Sequence, residues 1–216
     1  MAALRGDVGA WGVVVPVKHL ELAKSRLAAY GEAARRDLAL AFAVDVVSAA
    51  LSCPVVREVL VVTDDAQAAA ALGALGARVA PDDPDAGLNP ALAHGAELLR
   101  AEDPGLGVVT VSADLPALSP HDLAAVLQAV PSGRRAFVAD SAGTGTTLLA
   151  ASAPAALLPS YGAGSRARHR ASGAVELPGT AALRRDVDTP ADLREAVALG
   201  VGARTAAVAA GLPPVP

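Results

Sequence analysis

Several features that would indicate particular protein classes are scarce or missing in this sequence of 216 residues. Cys53 is its only cysteine, so the chain cannot form an intramolecular disulfide, and no cysteine and histidine spacing suits a structural zinc site. Four histidines are present, and no serine or cysteine stands in a nucleophile-elbow pattern, which argues against acyl-transfer hydrolysis. Neither GxxxxGKS/T nor GxGxxG occurs, so P-loop and dinucleotide-binding folds lose support.

Long apolar runs and an excess of basic charge are also missing. The net charge is -4, from 18 Lys plus Arg and 22 Asp plus Glu, which gives no general footprint for nucleic acid or an anionic membrane surface. Although 53% of residues are apolar, charged residues interrupt each run well short of the roughly 20 residues that a membrane-spanning helix needs. We therefore expect a cytoplasmic protein that is neither secreted nor membrane-bound, in which an anionic ligand meets a local basic cluster.

Buried strands alternate with amphipathic helices along most of the chain. This alternation predicts an α/β fold with a mostly parallel sheet covered on both faces, in a single domain over 1–216 with frayed ends at about 1–9 and 208–216. A loop is expected over 161–170, a strand end over 184–188 and a final helix from Thr189 and Pro190 to about 199. The other strands are expected at 11–17, 58–63, 77–80, 107–112, 136–139 and 147–151, and the other helices at 32–52, 66–75, from about 89, and from 119 to about 130.

Polar residues at the ends of predicted strands are the first candidates for a site, because open α/β sheets bind ligands there. Asp114 and Asp188 could together hold Mg²⁺, which prefers one or two carboxylates plus waters and substrate phosphates. Taken singly, Asp114 could be a turn or capping residue, and Asp188 could cap the helix that follows it. Asp186 and Asp188 flank Val187, so in a strand both acids would point to one face, open to the cleft or to solvent.

A basic segment and two glycine-rich turns could supply an anion site. Lys18, Lys24 and Arg26 follow the first strand, where a loop could gather them around a triphosphate or leave them on a solvated surface. The turns at 143–147 and 162–165 offer backbone N–H groups and hydroxyls that can form anion-binding nests, or are ordinary turns. A positive cluster directly after the second turn favours a small anionic substrate, and consists of Arg166, Arg168, His169 and Arg170.

Seven stretches spread from Val15 to Leu193 carry a family resemblance. They are VPVKHLELAKSRL, VVTDD, GLNPAL, SADLPAL, GTGTTLL, YGAGSRARH and RRDVDTPADL. In this order they resemble the phosphoenolpyruvate or 2-phospho-L-lactate guanylyltransferases of deazaflavin coenzyme (F-420) biosynthesis. The resemblance implies a single-domain nucleotidyltransferase fold, a Rossmann-like three-layer α/β/α sandwich with a mostly parallel mixed sheet.

The resemblance also implies a reaction and its residues. GMP would pass from GTP to phosphoenolpyruvate, releasing pyrophosphate and forming enolpyruvyl-diphospho-5'-guanosine, with Mg²⁺ as cofactor; the GTGTT turn is similar to the bacterial branch associated with that acceptor. Asp114 and Asp188 would bind the metal and act in catalysis with Lys24. The nucleotide contacts would be Pro16, Lys18, Lys24, Arg26, Asp64 and Asn89, and the acceptor contacts Thr147, Gly162 and Ser165, with Thr146 close by.

Other interpretations remain open at this point. The acceptor could be 2-phospho-L-lactate, or the chain could be a molybdenum-cofactor or sugar-phosphate nucleotidyltransferase. The LxxGxSxRMG-like segment expected of these enzymes is replaced here by VPVKHLELAKSRL. A nucleotide-binding regulatory protein of the same fold is the non-enzyme alternative, although both acids are present. A downstream transferase is the expected partner, and the alanine-rich helices could serve a homodimer.

Overall fold

The computed structural model describes residues 11–83 and 86–213, which are built around one seven-stranded sheet. The spatial order is β3-β2-β1-β4-β6-β5-β7, and β6 alone runs antiparallel to its neighbours. The expected mostly parallel mixed sheet is therefore confirmed. The strands are β1 Trp11–Pro16, β2 Val56–Val62, β3 Arg78–Ala80, β4 Gly107–Val111, β5 Arg135–Ala139, β6 Thr146–Ala151 and β7 Val175–Glu176.

Helices cover both faces of this sheet and complete the three layers. One apolar cluster joins a face of the sheet to α1, α2 and α4, and a second joins the opposite face to α3. Because consecutive residues of a strand point to opposite faces, Val13 and Val15 of β1 lie in the first cluster and Val14 in the second. The helices are α1 Glu32–Leu51, α2 Ala66–Gly73, α3 Leu88–Glu102, α4 Pro120–Gln128, α5 Ser165–Ala171, α6 Ala181–Arg184, α7 Pro190–Leu199 and α8 Ala203–Ala210.

Three sequence predictions about the second half are wrong. The expected loop over 161–170 contains α5. The expected strand end over 184–188 starts at the last residue of α6 and forms no strand, and the first turn of α6 is capped by the Thr180 hydroxyl, which accepts from Leu183 N. In addition, α7 is not the final helix. Helices of four and seven residues, such as α6 and α5, are too short to show the apolar periodicity on which the predictions rest.

The last helix depends on a contact distant in sequence. Asp45 of α1 accepts hydrogen bonds from Arg204 N and Thr205 N, at 3.1 and 2.8 Å, and so caps the N-terminus of α8. Residues 208–210, expected to fray, lie in this helix, whereas the expected frayed residues 1–9 lie outside the described chain. Among the described residues, none of the helices combines the length and hydropathy needed to cross a membrane.

Gly95 sets how closely α3 approaches the sheet. A Cβ atom at this position would stand 2.8 Å from Val14 Cγ1 and 3.1 Å from Val62 Cγ2, both on buried strand residues. The helix therefore packs directly against β1 and β2. This packing places the first turn of α3 at the edge of the sheet where both strands end.

We expect Gly95→Ala to lower the free energy of unfolding by about 1–3 kcal/mol, because the new methyl group overpacks Val14 and Val62. Gly73→Ala is the matched control, since its Cβ would lie 3.6 Å from Val79 Cγ2, an ordinary contact, and a helical alanine is favoured over glycine. Urea unfolding of both variants tests this. Equal stability changes would contradict the close approach.

Candidate active site

The segments that follow β1 and β4 meet at one edge of the sheet. These strands are parallel neighbours, so both carboxyl ends open toward the same side. A cavity of about 360 Å³ lies at this edge. Its polar lining comes from Lys18, Lys24, Ser112, Asp114 and Asp188, and its apolar lining includes Pro16, Leu20, Leu22 and Leu88.

Lys24 lies between the two predicted acids. Its ammonium donates to Asp188 Oδ1 at 2.8 Å and also to Asp114 Oδ2, and the side chain is only 12% exposed. Burial acts to lower the pKa of Lys24, but attraction by Asp114 and Asp188 outweighs it and holds the pKa above its ordinary value. The lysine is therefore a fixed positive charge across the pH range in which proteins work.

A backbone contact brings Asp188 to Asp114. Val187 is fully buried beside Leu27 and Leu193, and its N–H donates to the carbonyl of Asp114 at 3.0 Å. The acids at 186 and 188 are both partly exposed while Val187 is buried, as alternation predicted, although no strand forms here. This hydrogen bond thus holds together two segments that are far apart in sequence.

The capping alternatives for these acids do not hold. Thr189, rather than Asp188, is the N-cap of α7, where it forms a capping box with Asp192. Ser119 is the N-cap of α4, so Asp114 does not fill that role. Both carboxylates therefore face the site without a capping function.

The donor set fits a divalent cation completed by a ligand. Asp114 Oδ1 is buried and has no hydrogen-bond partner among the described residues. Coordination to a cation would satisfy this oxygen. Within 11–83 and 86–213, no group of three or more His, Cys, Asp or Glu side chains is arranged to hold a metal by itself. Two carboxylates plus phosphate oxygens and waters are the arrangement that Mg²⁺ prefers.

Two further acids lie close to this pair: Asp186, which the sequence predicts to face the cleft or solvent, and Asp140, to which the sequence assigns no role. Burial, together with the negative charges of Asp114, Asp188 and Asp140, raises the pKa of Asp186 to about 6. Asp140 and Asp186 line a cavity of about 350 Å³ on the other side of Asp188. Concentrated negative potential favours cations at this edge.

The structure does not bring every predicted nucleotide residue into the main cavity. Arg26 lies beside it, with Nη1 3.7 Å from Asp188 Oδ2. Asp64 lines a separate cavity and accepts from Asp82 N, at 3.1 Å. Asn89 instead holds the backbone of Tyr161, accepting from its N–H at 2.6 Å and donating to its carbonyl at 3.2 Å.

The predicted acceptor residues lie around a buried hydroxyl network outside that cavity. Thr147 is 1% exposed, and its hydroxyl has no hydrogen-bond partner within the described chain. The Ser165 hydroxyl donates to Thr146 Oγ1 at 3.1 Å, so both belong to the interior. Gly162 has φ of 116°, which L side chains rarely adopt.

Much of the expected positive charge near these residues is already paired. Arg166 and Arg170 both contact the Glu176 carboxylate, and Arg166 also donates to the Gly143 carbonyl. Arg168 donates to the carbonyls of Ser160 and Ala163. The arginines thus fasten the two glycine-rich turns.

The sequence matches the family model described as "Guanylyl transferase CofC like" over residues 11–208. The chain belongs to this family. It is 58% identical over 205 residues to the phosphoenolpyruvate guanylyltransferase of Thermomonospora curvata, covering 94% of this chain and 90% of that protein. A protein of the same name from Streptomyces coelicolor is also 58% identical, with 94% and 97% covered.

Solved structures show the fold of this CofC-like protein independently. A putative nucleotide-diphospho-sugar transferase from Desulfovibrio desulfuricans G20 matches with a TM-score of 0.61 at 18% identity, covering 87% of this chain and 95% of that one. A nucleotidyl transferase from Methanothermobacter matches with a TM-score of 0.62 at 20% identity, covering 88% and 97%. The predicted nucleotidyltransferase-type sandwich is confirmed.

His169 of α5 links this helix to Thr146 of β6 and to the backbone of Ser160, and its pKa makes stability depend on pH. Ser160 N donates to His169 Nε2 at 3.0 Å, so Nδ1 carries the proton and donates to Thr146 Oγ1 at 2.9 Å. Burial, followed by the charges of Arg168 and Arg135, lowers the pKa of His169 to about 4. A second ring proton would also oppose the N–H of Ser160.

We expect the stability that depends on neutral His169 to be complete above pH 6.5 and to be lost as pH falls toward 4, because the unfolded chain binds the proton more readily. The loss should reach up to about 3 kcal/mol. Urea unfolding from pH 4 to 7 measures it, and His169→Gln should flatten the slope. His121→Gln, at an exposed position of α4, should retain it; a retained slope in His169→Gln would contradict the assignment.

Proposed function

We propose that this protein transfers GMP from GTP to phosphoenolpyruvate, releasing pyrophosphate and forming enolpyruvyl-diphospho-5'-guanosine. The observation that carries the proposal is Lys24 between Asp114 and Asp188 in a cavity at the carboxyl ends of β1 and β4. Relatives at 57–58% identity over nearly the whole chain bear the name phosphoenolpyruvate guanylyltransferase, which supports this acceptor.

The reaction forms and breaks one bond at the same phosphorus. A phosphate oxygen of the acceptor attacks the α-phosphorus of GTP, while the bond from that phosphorus to the α–β bridging oxygen breaks and pyrophosphate leaves with the electron pair. The acceptor phosphate is largely ionised at neutral pH, so the step needs no protein base. The protein aligns two anions and offsets their charge.

Lys24 suits charge stabilisation and not covalent catalysis. An ammonium paired with two carboxylates, with its pKa above the ordinary value, has no free electron pair with which to attack phosphorus. Cys53, whose thiolate would be a strong nucleophile, is buried in the core. The structure therefore supports direct transfer between the two substrates.

Asp114 and Asp188 would hold Mg²⁺, as their donor set allows. When bound, the metal would supply positive charge to the triphosphate and the leaving pyrophosphate. Lys24, Lys18 and Arg26 would add positive charge from the segment after β1. Pro16 lines the same cavity, while Asp64 and Asn89 would act from its surroundings.

Thr147, Gly162 and Ser165 would mark the acceptor side. Of these three residues, Thr147 has a buried hydroxyl that lacks a partner within the described residues, so an acceptor carboxylate or phosphate could pair with it. In this proposal residues 1–216 act as one cytoplasmic domain, and a downstream transferase of coenzyme F-420 biosynthesis consumes the product. 2-Phospho-L-lactate is the alternative acceptor.

We expect Mg²⁺-dependent pyrophosphate release when GTP and phosphoenolpyruvate are mixed with the protein, with the downstream transferase present to draw off product. A parallel reaction with 2-phospho-L-lactate should be slower. Faster release with phospholactate would reverse the acceptor assignment. GTP binding without release for either acceptor would instead favour the regulatory alternative.

Asp114→Asn should lower kcat/KM by about 100-fold to 1000-fold while the fold is preserved, because the amide keeps the shape of the side chain but removes negative charge from the cation site. Steady-state kinetics and circular dichroism check this. Asp103→Asn is the matched control, since Asp103 pairs with the exposed Arg57 away from the cavity. Near-normal kinetics for Asp114→Asn would contradict the metal-binding role and would favour a role for Asp114 as a turn residue.

A further inference from the structure

We infer that Arg35 of α1 is a positioning residue that shapes the segment 18–24 for binding the phosphates of GTP. The inference rests on the proposed function, in which this segment contacts the triphosphate. Arg35 is 8% exposed and lies outside the cavity, so it acts through the backbone that carries Lys18 and Lys24.

The guanidinium of Arg35 holds three carbonyl groups of that backbone. Nη1 donates to the carbonyls of Leu20, at 3.3 Å, and Ala23, and Nη2 donates to the carbonyl of Glu21 at 2.7 Å. Arg35 forms no salt bridge with any described residue. A buried cation is costly unless its donors are satisfied, so here the carbonyl groups of the segment must be in place to satisfy them.

Asp65 holds the same segment from β2 and α2. Its Oδ2 accepts from Leu20 N at 2.9 Å, while its Oδ1 caps α2 through Ala68 N at 2.9 Å. Burial acts to raise the pKa of Asp65, but these backbone hydrogen bonds outweigh it and lower the pKa, so the carboxylate stays ionised. Leu20 is thus fixed at its N–H by Asp65 and at its carbonyl by Arg35.

The conformation that follows needs this support. Lys24 has φ of 55°, in the left-handed region that residues other than glycine seldom adopt. Such backbone persists where surrounding contacts impose it. Arg35 grips the carbonyl of Ala23, directly before Lys24, and so fixes the point from which the ammonium reaches Asp114 and Asp188.

Arg100 provides a matched control for a purely structural role. It also donates to three backbone carbonyls, those of Leu106 at 3.2 Å, Ala155 at 2.7 Å and Ala151 at 2.9 Å. Ala151 pairs with Val108 near the start of β4, so Arg100 lies at the opposite edge of the sheet from the cavity. Loss of either guanidinium removes three hydrogen bonds to backbone carbonyls. Of the two arginines, Arg35 is the one that contacts the segment 18–24.

The first test measures nucleotide binding without an acceptor. Calorimetric titration with Mg²⁺ and GTP should show about 10-fold to 100-fold weaker binding for Arg35→Met, because misplacing Lys24 weakens its contact with phosphate. Arg100→Met should bind GTP with an affinity within twofold of that of the unmodified protein, even if its melting temperature falls as much as that of Arg35→Met. In the coupled assay, Arg35→Met should raise KM for GTP and leave KM for phosphoenolpyruvate nearly unchanged. Arg35→Lys, which keeps the cation but loses the planar fork, should lie between Arg35→Met and the unmodified protein, and supplies the result if Arg35→Met does not fold.

The second test reads the segment itself. Trypsin cleavage after Lys18 and Lys24, followed by mass spectrometry, should accelerate in Arg35→Met or Arg35→Lys and not in Arg100→Met. Equal GTP binding and equal cleavage in all variants, or equal losses in the Arg35 and Arg100 variants, would overturn the inference. If the unmodified protein failed to bind GTP, the proposed function would fall, while proteolysis would still decide whether Arg35 holds the segment.

Discussion

The contact of one ammonium with two carboxylates is the interaction on which the rest of the site depends. Lys24, Asp114 and Asp188 come from three separate segments, and the described residues around them bring further negative charge through Asp140 and Asp186. Without a cation between them, these acids would repel one another. The fold therefore places the positive charge of Lys24 between the two carboxylates. The same negative potential would attract a metal ion that arrives with a phosphate ligand.

The framework behind this contact follows largely from local sequence patterns. Short β-branched runs predict buried parallel strands, and caps such as Ser119 and Thr189 mark where helices begin. The short helices α5 and α6 escape prediction because they are too short to show apolar periodicity, and α8 because its cap is distant. Asp45 caps α8 from a position about 160 residues earlier, and no local pattern encodes such a contact.

The sequence predicts the two carboxylates of the site, but it does not predict the contacts that hold them and Lys24 in place. Asp114 can be identified from the sequence because it lies just beyond the end of β4, whereas Asp188 reaches the site through the hydrogen bond from Val187 to Asp114, which the sequence does not reveal. Arg35 resembles an ordinary surface charge of an amphipathic helix. Its one signal is its position three residues before the buried Leu38, on the apolar side of α1, and its acceptors lie 12 to 15 residues earlier.

In the proposed reaction, a fixed positive charge assists the transfer of GMP and no protein nucleophile takes part. The protonated state of Lys24 separates this from a mechanism in which a lysine would carry the nucleotide covalently. The most direct measurement is the stereochemical course at the α-phosphorus, using GTP made chiral there by a single sulfur substitution. A single in-line displacement predicts inversion of configuration. Retention would require two successive displacements through a covalent intermediate and would contradict the account.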